Sequence, residues 1–477
     1  MNFLTSTYLL FFALAVLGTY LLPGRYQNHF LLAANYIFYL WANPTLGLLL
    51  AAGTLVGYGC ARAMERERRR RLWLTLGVLW LFGALFVFKY LDFFCQSVLD
   101  LTGLGGSFHS GLVLPIGISF YSFSLAGYLF DVYRRKLPAQ RDLLAFAVFA
   151  SLFPSILCGP INRAREILPQ LQEKRILDAA GVKGGVLRFL WGAAKKLVTA
   201  SLLSDLIDPV WAQPAAFGSG SWIIAAAAYS LYIYLDFSAY SDMAIGSAQV
   251  LGLRLMENFT APYLSRSVKS FWKKWHISLT SWFREYLYFP LGGSRKGKAR
   301  ARVNVLIVFA VSGLWHGAGY TFLLWGLLNG LYQVLEDVSQ DARSRLRRRL
   351  RIRQDHWALA LVQGLITFVL VTIAWVFFRA PSLEQALFAL GQMARVVQDG
   401  FGPASGLLAR RGQLLLAAGL GLCLWEDVRI ARNRERGTLA QSRWRYWLSL
   451  AGLAFVLLLF GRYGPGFDAQ DFVYFKF

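Results

Sequence analysis

Stretches of roughly 15 to 23 apolar residues recur along the whole 477-residue chain, separated by short arginine-rich segments. Each is about as long as a helix must be to cross some 30 Å of hydrocarbon. With 56% hydrophobic and only 16% charged residues, the chain has too little polar surface to cover a soluble domain. It reads as an all-α, polytopic membrane protein. A small disulfide scaffold, a disordered acidic tail protein and an ordinary cytosolic enzyme are excluded. The four cysteines, Cys60, Cys95, Cys158 and Cys423, lie far apart without a CxxC, so neither a zinc site nor a disulfide framework is indicated.

The net charge of +24 invites a nucleic-acid reading, because clustered Lys and Arg release counterions from phosphates. Position argues against it. Of the 50 Lys and Arg, 28 fall in the segments 62–71, 134–141, 294–302, 343–353 and 429–445. That is the positive-inside pattern of cytoplasmic loops, with contact to membrane-lipid headgroups as a second use.

Spans are expected near 8–22, 28–41, 44–61, 72–90, 112–131, 184–204, 221–240, 303–319, 320–337, 357–379, 413–428 and 446–462. The first has no basic n-region or cleavage site before it and reads as a retained span. The connections 91–111 and 205–220 hold Asp but no Lys or Arg and fall on the outer side. The segment 142–158 is apolar enough to cross, but crossing there would invert every later loop. Pro154, Gly159 and Pro160 interrupt a helix, so a re-entrant or surface-lying segment is expected. About twelve crossings then place both termini outside. No internal repeat is visible, and residues 1–477 read as one domain.

Five histidines occur, and two sit where a polar group is costly. His316 lies in SGLWHGAGYTFLLWGLLNG (312–330), with no charged residue between Arg302 and Glu336. An ionisable group at membrane depth is by default a functional candidate. Gly313, Gly317 and Gly319 let the chain break or another group approach; the alternative is a Gly313-x-x-x-Gly317 packing face with His316 merely hydrogen-bonded across it. His276 lies in VKSFWKKWHISLTSWFREYLYFP (268–290). At 100° per residue Trp272, Trp275, His276, Leu279, Trp282, Phe283, Tyr286 and Leu287 share one side; Lys273, Lys274, Ser278, Ser281, Arg284 and Glu285 share the other, Ile277 excepted. One amphipathic helix lying in the interface is expected, tryptophans at headgroup level and His276 pointing into the protein, as ligand, catalyst or satisfied core residue. Asp236 interrupts an uncharged span, with Asp242 six residues on. Buried carboxylates need partners, either a histidine that they would orient or an Arg from a neighbouring helix, as an ion pair locking two helices. Neither HExxH nor a Cys/His cluster is present, so no metal is expected. There is no G-x-S-x-G elbow, Walker A loop or GxGxxG opening a helix.

PIGISFYSFSLAGYLFDVYR (115–134), FPSILCGPINRAREILPQL (153–171), the stretch 236–293, SGLWHGAGYTFLLWGLLNG, WVFFRAPSLEQAL (375–387) and the terminal DFVYFKF resemble the membrane-bound O-acyltransferase (MBOAT) family. Within it the likeness is to bacterial alginate O-acetyltransferases and their relatives acting on cellulose or peptidoglycan. The signature region runs from about 111 to 387. The two Trp–His pairs, at 275–276 and 315–316, carry the resemblance most specifically; Cys158 departs from the usual small residue.

The resemblance implies a fold of helices around a central tunnel, with His316 as the catalytic histidine and His276 as the second histidine of the signature. It implies an acetyl donor in the cytoplasm, acetyl-CoA or alternatively a carrier-protein thioester, whose phosphates Lys273, Lys274 and the 295–302 loop could meet. It also implies a periplasmic partner that accepts acetyl groups, a polysaccharide biosynthesis complex and residence in the bacterial inner membrane. Asp236, Asp242, Trp315 and Trp275 would support the histidines. The alternative reading is a proton-coupled transporter of a polysaccharide precursor or acyl donor, although the matching broken halves of many transporters are not seen.

Overall fold

The computed structural model describes residues 1–41, 46–66, 69–103, 105–353, 356–401, 408–432, 443–463 and Phe472. Most of the 429–445 cluster and of the terminal DFVYFKF, two features singled out in the sequence, lie outside them. The described residues are helical, without strands. The first part of the chain holds α1 (Ser6–Leu21), α2 (Gly24–Leu40), α3 (Leu46–Arg66), α4 (Arg70–Lys89), α5 (Leu91–Thr102), α6 (Ile118–Tyr133), α7 (Leu143–Ser151), α8 (Phe153–Ile156), α9 (Ala164–Gln172), α10 (Ala179–Ala194), α11 (Ser201–Ala212) and α12 (Ser219–Val250). The second holds α13 (Val268–Lys274), α14 (Ile277–Phe283), α15 (Lys298–His316), α16 (Tyr320–Val338), α17 (Gln340–Arg349), α18 (Trp357–Arg379), α19 (Leu383–Ala394), α20 (Val396–Asp399), α21 (Arg410–Ala431) and α22 (Arg443–Phe460).

By length and composition α3, α4, α12 and α18 can cross a membrane; α1 and most of α22 are apolar but shorter. The other expected spans coincide with helices that are shorter or carry polar groups satisfied by neighbours, so hydropathy alone does not single them out. The alternation of ends is regular. Arg66, Arg70, Arg134, Lys298 and the arginines of α17 share one end, hereafter the basic end. The start of α1, the end of α4, the start of α6 and the end of α15 share the other.

The 142–158 segment resolves as re-entrant rather than surface-lying. Asp142 caps α7 by accepting from the Leu144 and Ala145 amides, and the chain breaks at Leu152 before Pro154. Asn35 of α2 is buried beneath the break. Its Oδ1 accepts from Phe153 N at 3.0 Å and its Nδ2 donates to Ser151 Oγ at 3.2 Å. These bonds satisfy groups that a broken helix would leave exposed to lipid. The chain then returns through Gly159–Pro160 to the basic end, where Glu285 meets Lys136 (2.6 Å) and Arg165 (3.0 Å). Burial works to raise the Glu285 carboxyl, but these two cations outweigh it and hold it at about 2.

Two pairs of helices approach backbone to backbone around the centre. A Cβ on Gly313 would lie 2.2 Å from Phe322 O, and one on Gly326 would lie 2.2 Å from Phe309 O, so α15 and α16 touch through glycine. Gly192 and Gly246 do the same for α10 and α12. The carbonyls at the end of α15 are taken up by the end of α4: Lys89 Nζ donates to Trp315 O (2.7 Å) and His316 O (3.2 Å), and Tyr90 OH to Leu314 O (3.0 Å).

Candidate active site

The stretch 268–290 is not the single interfacial helix that its pattern suggests. It breaks into α13 and α14 at Trp275–His276, where His276 adopts a left-handed conformation (φ 44°, ψ 54°), and continues beyond α14 as a π-helical segment, Arg284–Tyr288. Trp272, Trp275 and Trp282 are buried rather than at headgroup level. The break removes the common stripe: Trp272 packs on Trp325 and Phe309, Trp275 on Phe271 and Trp375, and Trp282 on Phe123. Left-handed geometry is costly for a residue with a Cβ and persists where surroundings over-determine it. Here Asn258 does so. Its backbone carbonyl accepts from Ile277 N (2.9 Å), and its Oδ1 faces His276 Nδ1 (3.1 Å) while accepting from Ser278 N (3.2 Å) and Ser278 Oγ (2.9 Å). An amide oxygen accepts, which assigns the imidazole proton to Nδ1 and makes Nε2 the acceptor nitrogen.

His316 ends α15, nearly fully buried at 3% exposure. Its ring centroid lies 6.4 Å from that of His276, 4.8 Å from Trp315, 5.0 Å from Trp325 and 5.3 Å from Phe378. The two Trp–His pairs therefore meet in space. A cavity of about 590 Å³ reaches the second pair, Trp315–His316, from the end opposite the arginine clusters. His316, Trp315 and Lys89 line it together with Cys158, Tyr39, residues 114–120 and the start of the chain. On its other flanks the imidazole is walled by Trp325 and Phe378, themselves packed on Trp375. Of the expected tunnel, the structure shows this cavity.

Asp236 and Asp242 are buried on α12, and their partners are lysines that the sequence reading passed over inside the expected 184–204 span. Between α10 and α11 the backbone adopts a π-helical turn, Lys195–Ala200. It presents Lys196 to Asp236 (2.6 Å) and Lys195 to Asp242 (2.5 Å), with Arg188 at 2.8 Å from Asp242 and 2.6 Å from Glu257. These contacts lock α12 to its neighbour. Lys273 and Lys274 sit in the last turn of α13, exposed and partly exposed, and are absent from the cavity lining. Among the described residues no cluster of three His, Cys, Asp or Glu side chains could hold a metal. Lys89, Asn258 and Trp325 were not anticipated. Lys89 carried a signal, a lone cation closing an apolar run on the side where cations are otherwise scarce.

The fold is a polytopic helical frame in which two histidines are neighbours and one of them lines a cavity. The family model of membrane-bound O-acyltransferases matches residues 29–380, beginning well before the motifs legible from Gly111. The chain belongs to that family and is an O-acyltransferase. It is 36% identical to the probable alginate O-acetylase AlgI of Pseudomonas aeruginosa, over 82% of this chain and 75% of that one. To the peptidoglycan O-acetyltransferase of Helicobacter pylori it is 31% identical, over 80% and 77%. To the teichoic acid D-alanyltransferase of Bacillus subtilis it is 26% identical, over 46% and 58%.

Proposed function

We propose that this chain transfers an acetyl group from a cytoplasmic thioester, acetyl-CoA, across the bacterial inner membrane for O-acetylation of an extracytoplasmic polysaccharide such as alginate. The cavity ending on His316 carries the reading, because it brings an acceptor hydroxyl from the arginine-poor side to an imidazole within the protein. On the positive-inside rule that side is periplasmic, with both termini on it.

In the proposed step His316 removes the proton of the hydroxyl as its oxygen attacks the thioester carbonyl. The C–S bond breaks, the thiolate takes the proton back from the imidazolium, and an ester and a free thiol leave. Imidazole suits this because its ordinary pKa lies close to neutral. His276, with Nδ1–H held by Asn258, supports the neighbouring ring. The donor reaches His316 from the side of Trp325, Trp375 and Phe378, so those rings must give way to it, with Lys273, Lys274 and the 295–302 loop available to its phosphates. The acceptor hydroxyl belongs to the polymer or to a periplasmic protein of the biosynthesis complex that passes the acetyl group on to it. The relatives' names and the cavity's position support this assignment.

The test is His316→Ala in cells that make the polymer. Acetyl content should fall by about two orders of magnitude or more at unchanged protein level, the usual worth of a general base; undiminished acetylation would rule the role out.

A further inference from the structure

The basic end carries one helix whose charges stand apart from the rest. α17 follows α16 directly and precedes α18, a span by length and composition that opens on Trp357, 73% exposed. An exposed tryptophan at the start of a span marks the membrane–water interface, so α17 belongs to the leaflet at the basic end. Other cationic segments there find acceptors within the chain: Arg70 the Val132 carbonyl (2.7 Å), Lys136 the Glu285 carboxylate (2.6 Å) and Arg302 the Asp337 carboxylate (2.8 Å). α17 differs. Arg343 donates to Ser339 Oγ and to the Glu336 carbonyl, and Arg347 to Ser344 Oγ. Among the described residues no carboxylate lies within ion-pair distance of any arginine from Arg343 to Arg351.

No residue of α17 is buried, and what it exposes is patterned. Leu346 and Leu350 are 56% and 58% exposed. At 100° per residue Ala342 and Leu350 fall within about 40° of Leu346, with Arg343 and Arg347 about 60 to 100° to one side and Arg345 and Arg349 as far to the other. Asp341, Ser344 and Arg348 face away. A loop that only sets topology needs enough arginines, in any angular order. A helix lying in the interface needs this order: apolar residues at the acyl boundary, and a cationic shoulder on each side whose stems return the guanidinium groups to headgroup level. The guanidinium fork also matches phosphate oxygens.

We infer that α17 binds the phosphodiester headgroups of anionic phospholipids in the leaflet at the basic end. Arg343 and Arg347 form one shoulder of the site and Arg345 and Arg349 the other, with Leu346 and Leu350 at the acyl boundary. Neither the donor nor the acceptor of acyl transfer enters into this. A soluble phosphate compound would match the arginines and leave the leucines in water.

The test places a fluorophore on the apolar stripe. Ala342→Cys is made in the full-length protein with Cys60, Cys95, Cys158 and Cys423 replaced by Ser, labelled with nitrobenzoxadiazole, and reconstituted in phosphatidylcholine vesicles of rising phosphatidylglycerol content. Emission should move to the blue as phosphatidylglycerol rises. Arg349→Gln should raise the content needed for half the change about fivefold, the worth of one cation near an anionic surface. Arg348→Gln loses the same charge from the far side and should raise it by less than about twofold. Arg349→Lys keeps the charge, should follow the parent protein, and separates lost charge from lost fold. The same blue emission in pure phosphatidylcholine, or equal effects of Arg349→Gln and Arg348→Gln, would overturn the inference. So would a blue change produced by coenzyme A on both faces of phosphatidylcholine vesicles, which would make α17 a site for soluble phosphates.

Discussion

At the scale of single residues, the polar groups in this protein divide by what meets them. Asp236 and Asp242 drew attention in the sequence because carboxylates interrupt an apolar run, and the requirement for partners was legible. Which partners they take was not, because the lysines that answer them sit within another apolar run and only the π-helical turn at Lys195–Ala200 aims them at α12. Removing Lys196 takes from buried Asp236 the cation 2.6 Å away. Lys196→Met should cost about 3–5 kcal/mol, whereas the paired change Lys196→Met with Asp236→Leu should recover much of the loss. Unfolding in detergent measures both; a double variant no more stable than the single one would show that the pair does not act as a unit. The histidines were legible as candidates from type and depth alone. Asn258, which fixes the His276 ring, was not, because nothing in its own neighbourhood (LMENFTAP) marks it as the residue beneath a left-handed turn.

At the scale of elements, several helices follow the apolar runs: the expected 357–379 is α18, and 303–319 and 320–337 are α15 and α16 within a few residues, whereas 112–131 begins six residues before α6 and 184–204 falls across α10, the π-helical turn and α11. Proline and parity together gave the re-entrant segment. The miss at 268–290 is instructive, since a wheel assumes one unbroken axis and a single left-handed residue redirects everything after it. Gly313 was read both as a hinge and as a packing position. The structure places it in packing, against Phe322 O and Gly326. Gly326 is its counterpart: a side chain there must displace the Phe309 carbonyl and push α15, with His316 at its end, away from α16. Gly326→Val should therefore destabilise by about 1–3 kcal/mol through overpacking and lower transfer further than its stability loss explains. Full activity with an unchanged melting temperature would show that the close approach is not required.

At the scale of the whole molecule, the arrangement is a helical body with a cationic end, a cavity at the other end and a pair of histidines between. Charge distribution along the sequence was enough to distinguish the two ends. The cavity was not legible, because its wall is drawn from the start of the chain, the end of α4, the 114–120 segment, the re-entrant turn and the end of α15, pieces brought together only by tertiary packing. The proposed function requires His316 as the base for acetyl transfer from a donor on one side of the membrane to an acceptor on the other. Its most direct test uses inside-out membrane vesicles holding the acceptor in their lumen and given labelled acetyl-CoA outside. Vesicles with the parent protein should accumulate label on the lumenal acceptor, and those with His316→Ala should do so at least about a hundredfold more slowly. Equal rates from the two would contradict it.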